Sequence, residues 1–161
     1  MCIRDRIVRP TFGEREGSLP RVYLAQSDDV ERAPSIGPKM AERLYALEIK
    51  TVADLLAADA DQLSLDLDAK NVWDETVRDW QDQARLVCSV PGLRGTHAQL
   101  LVGAGYRSRD TLAAAAEDKL CADVLKFALS TEGQRILRDG NPPDIERIKG
   151  WLANAIASKA A

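Results

Sequence analysis

The sequence predicts an all-α protein, and three observations support this class. Alanine and leucine dominate the chain, whereas aromatic residues make up only 5% of it. Alanine and leucine favour helices, while strands prefer β-branched and aromatic residues. Apolar residues recur at steps of three and four along most of the chain beyond residue 38, which is the spacing of an amphipathic helix. A pattern of turn and helix signals also occurs twice, with an offset of 57 residues from Pro34 to Pro91.

Apolar spacing and capping residues place the helices along the chain. The predicted helices span residues 39–47, 52–58, 59–67, 72–87, 118–129, 131–138 and 145–156. Thr51 is predicted to cap the second of these, and Thr131 with Gln134 to form a capping box. The helix over 72–87 carries Trp73 and Trp80 on its apolar side, and both are predicted to lie in the core.

Two helical units occupy the middle of the chain. The repeated segments cover residues 33–58 and 90–115, and the acidic helix that contains the tryptophans joins them within a domain over 30–116. Residues 1–29 are predicted to be a linker or the start of a fragment, with 22–24 as a short extended strap. Their first six residues, MCIRDR, resemble adapter read-through, so we assign no function to them. Residues 117–161 are predicted to form C-terminal helices packed on this domain.

The repeat matches turn, core and cap positions together. Ala41 aligns with Ala98, and Leu44 aligns with Leu101. The triplet Ile49-Lys50-Thr51 aligns with Tyr106-Arg107-Ser108, which is apolar, basic and hydroxyl-bearing in both copies. An internal repeat is therefore predicted.

Each copy begins with a turn that contains glycine and leads into a helix. A glycine at positive φ lets consecutive backbone N–H groups point outward, and such a nest at a helix N-terminus suits a phosphate. We expect Gly37 to take a backbone conformation that is costly for other residues. Lys39 and Arg94 would add positive charge beside the turns. The candidate nucleic-acid-binding residues are Ser35, Gly37, Lys39, Gly92, Arg94, Gly95 and Thr96.

The stretches PSIGPKMAERL and VPGLRGTHAQLL resemble the helix-hairpin-helix motif. Together with TVADLLAA and GQRILRDGNPPD, they are similar to a bacterial family of domains of unknown function with paired helix-hairpin-helix repeats, within the DNA-binding-like superfamily of that name. The resemblance implies tandem hairpins in a SAM-like helical bundle with a C-terminal helical extension. Each copy departs from the motif at one position. In the first copy, Ser35 stands where the motif has its first glycine. In the second copy, Arg94 stands where the motif has its second glycine, and Gly95 follows one residue later.

The motif predicts a non-catalytic module that binds the sugar-phosphate backbone of nucleic acid, DNA in preference to RNA, without reading base sequence. A protein–protein interaction or scaffold role is the alternative. The net charge of −3 gives no overall attraction to nucleic acid, but the charges are unevenly distributed. Residues 85–116 hold four arginines and one acid, whereas 59–84 hold eight acids and two bases. We expect the second hairpin to face phosphates while the acidic helix faces away.

Catalysis, cofactors, metals and small-molecule substrates are not predicted. Asp54 lacks the glycine- and proline-rich context of a glycosylase aspartate and is interpreted as a helix-surface residue. His97 has no nucleophile or carboxylate motif to pair with, so a surface position is expected. The three cysteines lack ligand spacing, and Cys88 and Cys121 are predicted to be buried thiols. No apolar run is long enough for a membrane span, and no signal peptide is recognised, so a cytoplasmic location is expected.

Overall fold

The computed structural model describes residues 20–138 and 140–160, and the regular elements of this part of the chain are helices. It contains nine α-helices and no strand, so the all-α prediction is confirmed. The helices are α1 Pro38–Ala46, α2 Val52–Ala57, α3 Ala60–Leu67, α4 Asp74–Ser89, α5 Gly95–Gly103, α6 Arg109–Ala113, α7 Glu117–Ala128, α8 Thr131–Leu137 and α9 Ile145–Ala160. No helix within these ranges is long and apolar enough to cross a membrane. The interpretations of residues 1–6 and of Cys2 lie outside the described residues.

Local capping signals set most helix ends. The Thr51 hydroxyl accepts the amide of Asp54, whose carboxylate accepts the amides of Lys50 and Thr51, so α2 begins with a full capping box. Asp54 is therefore a capping residue rather than a free helix-surface acid. The capping box predicted at Thr131 is wrong, because Ser130 caps α8 and accepts the amide of Gly133.

The two segments related by the 57-residue offset adopt the same local structure. Both α1 and α5 have nine residues, and they start at equivalent positions. Leu44 and Leu101 are fully buried, and their carbonyl groups accept the amides of Ile49 and Tyr106 at 2.9 and 2.8 Å. The following short helices, α2 and α6, begin at the equivalent caps Thr51 and Ser108.

The strap before the first segment packs across both units. Leu24 is 3% exposed, and the amide of Gly92 donates to the carbonyl of Arg21. On the other side, Val52 and Ala53 donate to the carbonyl groups of Asp28 and Gln26. An isolated bridge also joins Asp29 to Thr51. Residues 20–29 therefore tie the start of α2 to the turn before α5.

Helix α4 lies in the core, but the two tryptophans differ. Trp80 is 5% exposed, as predicted, whereas Trp73 is 68% exposed. Trp73 is the N-cap residue of α4 and stands outside its helical periodicity, so the prediction that Trp73 is buried is wrong. Gln81 crosses the core side of α4 and donates to the carbonyl groups of Leu55 and Ala58, which ties α4 to the end of α2.

The C-terminal helices complete the core. Helix α9 packs against α6 and α7, and its buried residues include Ile148, Trp151 and Ala155. Trp151 is 3% exposed, whereas Ile145 and Ile156 are each 49% exposed. Cys121 is buried and Cys88 only partly so.

Candidate functional site

The turns before α1 and α5 share a backbone conformation that the residue types did not reveal. Ser35 has φ 70° and Gly92 has φ 80°, so the left-handed residue occupies the same position in both turns. Gly37 has φ −95° and ψ −178°, which is extended backbone, and it is the N-cap of α1. The prediction that Gly37 holds a conformation costly for other residues is therefore wrong, because Ser35 makes the reversal two residues earlier.

The two turns touch each other. A Cβ placed on Gly95, the first residue of α5, would lie 3.5 Å from the ring of Pro34. The Ser35 hydroxyl donates to Gln83 of α4 at 2.7 Å and accepts from Gln99 of α5 at 2.8 Å. The side chain of Ser35 thus joins the first turn to the helices that enclose the second.

Both helix N-termini leave amides without partners among the described residues. In α1 the first amide that donates a backbone hydrogen bond is that of Ala41, to the carbonyl of Gly37 at 2.9 Å. In α5 it is that of Ala98, to the carbonyl of Arg94 at 3.0 Å. The amides of the preceding two or three residues in each helix donate to no described group. Thr96 is exposed and its amide is among these. The Gly92 amide, by contrast, is occupied by the carbonyl of Arg21 at 2.8 Å.

The basic residue beside each turn is exposed. Lys39 and Arg94 are both accessible at the start of their helices. The Arg94 guanidinium lies over the ring of Tyr23, 4.2 Å from its centroid, and that of Arg21 lies 5.0 Å from the same centroid. The strap therefore positions Arg94 by a cation–π contact while leaving its charge in solvent.

His97 is not the surface residue that we expected. Its ring stacks on Trp151 with 4.7 Å between centroids, and its Nδ1 is buried without a hydrogen bond to any described residue. Burial, assisted by the positive charges of Arg147 and Arg94, lowers the pKa of His97 to about 4. The imidazole is therefore neutral at pH 7 and acts as a packing group between α5 and α9.

The acidic helix does not face away from the second repeat. Arg107 pairs with Asp79 at 2.7 Å and with Asp82 at 2.8 Å, and Arg85 pairs with Asp82 at 3.3 Å. Two of the four arginines in 85–116 are therefore neutralised by α4, which contradicts the expected separation of charge. The other two arginines of this stretch are Arg94 and Arg109.

A polar cleft of about 1250 Å³ opens beside the turns, between α4, α5 and α8. Ser35 and Thr96 line it, as do Arg107 and Arg135, which are occupied by ion pairs with Asp79, Asp82 and Glu132. Within the described ranges, no three His, Cys, Asp or Glu side chains come together as a metal ion requires.

Sequence reasoning missed the residues that lie near Arg94 and His97 in space. Arg21 and Tyr23 lie in the strap, and Arg147 lies in the first turn of α9. No local motif marks them, and they are far from the second turn along the chain. The other candidate residues lie at or beside the two turns, and Ser35 and the amide of Gly92 are occupied by internal hydrogen bonds.

Comparison with known families identifies the chain. Residues 34–158 match the model of a domain of unknown function, DUF4332, and because this match covers most of the chain, the protein belongs to that family. Searches among curated proteins and among solved structures found no match.

Proposed function

We propose that this DUF4332 protein binds the sugar-phosphate backbone of nucleic acid, DNA in preference to RNA, through two helix-hairpin-helix turns. In this proposal the turns at 34–37 and 91–94 are the hairpins, and α1 and α5 are the helices that follow them. The module is non-catalytic and does not distinguish base sequences, because backbone amides and basic side chains on phosphate carry no base information.

The observation that carries the proposal is the contact between two turns of the same conformation. Ser35 and Gly92 share the left-handed conformation, and Pro34 packs on Gly95. Two adjacent helix N-termini can each present amides to a phosphate, and the helix dipoles favour negative charge there. Lys39 and Arg94 lie beside these amides and add the charge that the amides lack.

Substitution of the two basic residues tests the proposal. We expect each of Arg94→Ala and Lys39→Ala to weaken binding by an amount that does not depend on the sequence of the duplex. Each should also reduce the slope of log affinity against log salt by about one. Arg94 should matter more, because Glu42 accompanies Lys39 on α1. Fluorescence anisotropy with labelled duplexes, across a series of salt concentrations, measures both effects.

Arg78→Ala is the control for the loss of one positive charge. Arg78 lies on α4 and pairs with Asp61 and Asp74, so its removal should change DNA affinity little. If the Arg78 and Arg94 variants show the same small effect, the proposal of nucleic-acid binding fails. Duplex RNA and single-stranded DNA in the same titration test the preference for DNA.

A protein partner is the second candidate, and two exposed apolar residues favour it. Leu65 of α3 and Trp73 at the start of α4 are 71% and 68% exposed, on either side of the loop between these helices. Exposed large apolar groups of this kind are typical of interaction surfaces when they cluster. Binding through them would be nearly insensitive to salt and would be weakened by Trp73→Ala, whereas DNA binding would not.

A further inference from the structure

Three arginines from separate parts of the chain lie beside the second turn or the first turn of α5. Arg21 and Arg94 contact the ring of Tyr23, and Arg147 is close enough to His97 for its charge to act on that ring. Arg21 belongs to the strap, Arg94 is the N-cap of α5, and Arg147 is in the first turn of α9. All three are exposed, and none forms an ion pair with a described residue. This distinguishes them from Arg85 and Arg107, which α4 neutralises.

Arg147 reaches this position because α9 runs along the second turn. Trp151 stacks on His97, Asn154 donates to the carbonyl of Pro91 at 3.0 Å, and Ser158 donates to that of Ser89 at 3.2 Å. Positions 147, 151, 154 and 158 share one helix face, since residues three and four apart are neighbours on a helix. Arg147 therefore lies one helical turn before Trp151 on this face of α9. Trp151 contacts His97, which is in the first turn of α5.

Arg21 reaches the same place through Tyr23. The ring of Tyr23 lies under the guanidinium groups of both Arg21 and Arg94. The strap is held there because the carbonyl of Arg21 accepts the amide of Gly92. Two acids lie near Arg147 along the chain. The neighbouring Glu146 pairs with Lys149 at 3.7 Å, and the Asp144 carboxylate accepts the Arg147 backbone amide at 2.8 Å and so faces the end of α9.

We infer that Arg21 and Arg147 join Arg94 in one phosphate-binding cluster, so that the strap and α9 are parts of the nucleic-acid interface. Guanidinium groups repel each other unless an anion lies between them, and their planar donors match phosphate oxygens in pairs. The ligand is the phosphate of a nucleic-acid backbone, because the cluster adjoins the first amides of α5, which donate to no described residue. This inference depends on the function proposed above.

Single charge-removing variants of the full chain test the cluster on labelled duplex DNA. Arg21→Gln, Arg94→Gln and Arg147→Gln should each lower affinity roughly tenfold at low salt, and each should reduce the salt slope by about one. Lys149→Gln is the matched control, since Lys149 lies on the same helix but pairs with Glu117 and Glu146. It should leave both quantities near the wild-type values.

Two further measurements separate binding from folding. Arg147→Lys keeps the charge and should retain the wild-type salt slope while losing part of the affinity, because lysine cannot bind a phosphate through a planar pair of donors. His97 is the only histidine of the chain, so its ring resonances report on the cluster directly. Duplex DNA should shift them in the wild-type protein and shift them less in Arg147→Gln.

The outcomes distinguish this inference from the proposed function. If Arg94→Gln weakens binding while the Arg21 and Arg147 variants match Lys149→Gln, the extended cluster is wrong and the hairpin proposal stands. If all four variants bind as the wild type does, or if the wild-type protein fails to bind duplex DNA at low salt, both are wrong. Loss of binding in all three arginine variants, with the control intact, supports the cluster.

Discussion

The turns before α1 and α5 reach one backbone conformation with different residues. The left-handed position is serine in the first turn and glycine in the second, at φ 70° and 80°. The N-cap position is glycine in the first and arginine in the second, and both are extended. The residues that agree are the buried ones, Ile36 with Leu93 among them. Burial of equivalent apolar groups therefore matters more to this turn than the placement of its glycines.

The surroundings of the two turns differ more than their conformations. Helix α1 packs mainly against the 3-10 turn Val30–Arg32, whereas α5 packs against α4, α7 and α8. The second turn also receives the strap through Arg21 and helix α9 through Asn154. The second unit is thus the more constrained of the two.

Truncation of the equivalent core leucines should show this difference most strongly. Leu44→Ala and Leu101→Ala each remove a fully buried side chain, and each should lower the free energy of unfolding by about 2–5 kcal/mol. We expect Leu101→Ala to cost more, because the helices packed around α5 limit collapse into the cavity. Urea denaturation measures both values.

Leu129→Ala is the control for this pair, because Leu129 is 71% exposed and its removal should change stability by less than about 0.5 kcal/mol. An equal cost for the two buried leucines, or a larger cost for Leu44, would contradict the view that the second unit is the more constrained.

Alanine in place of Gly92 and of Gly37 should affect stability differently, and both effects should be smaller than those of the leucine truncations. Gly92→Ala puts a side chain at φ 80° and brings its Cβ to 3.2 Å from Asn154 and Pro20, so it should destabilise the protein by about 1–2 kcal/mol. Gly37 has negative φ and nothing within 4 Å of an added Cβ. Gly37→Ala should therefore be neutral or stabilising by up to about 1 kcal/mol. Thermal melts of both variants would refute this account if Gly37→Ala proved the more harmful.

The two units should also differ in their response to pH. The position of His97 in the second unit corresponds to Met40 in the first. The folded-state pKa of His97 is lowered from 6.5 to about 4, so between these values the unfolded chain binds the proton that the folded protein excludes. Stability should therefore fall as the pH decreases from 6.5 towards 4.

His97→Met, which places the residue of the first unit in the second, should flatten this dependence in melting curves recorded between those pH values. The comparison is made above pH 4 because carboxylates with lowered pKa values, such as Asp54 and Asp123, contribute below it. An unchanged pH profile in the variant would show that His97 is not the titrating group.

The sequence by itself determined the helices and most of their ends. Apolar spacing and caps such as Thr51 depend on neighbours within one or two helical turns, so they can be read without knowing the fold. The equivalence of Leu44 with Leu101 was also visible, because the 57-residue offset aligns one part of the chain with another. The helix over 72–87 was anticipated as well, although its first residues were not.

The tertiary structure decided which side chains meet. The Ser35 side chain forms hydrogen bonds with Gln83 and Gln99. Residue types alone could not show that the first turn reverses at Ser35 rather than at Gly37. The sequence predicted that the arginines of residues 85–116 face away from the acidic helix, but Arg107 pairs with Asp79 of α4. Trp151 and Asn154 meet the second unit only because α9 lies along the second turn. Helical periodicity is a local property, whereas the partners of a charge depend on segments that are distant in the chain and come together only when the core is packed.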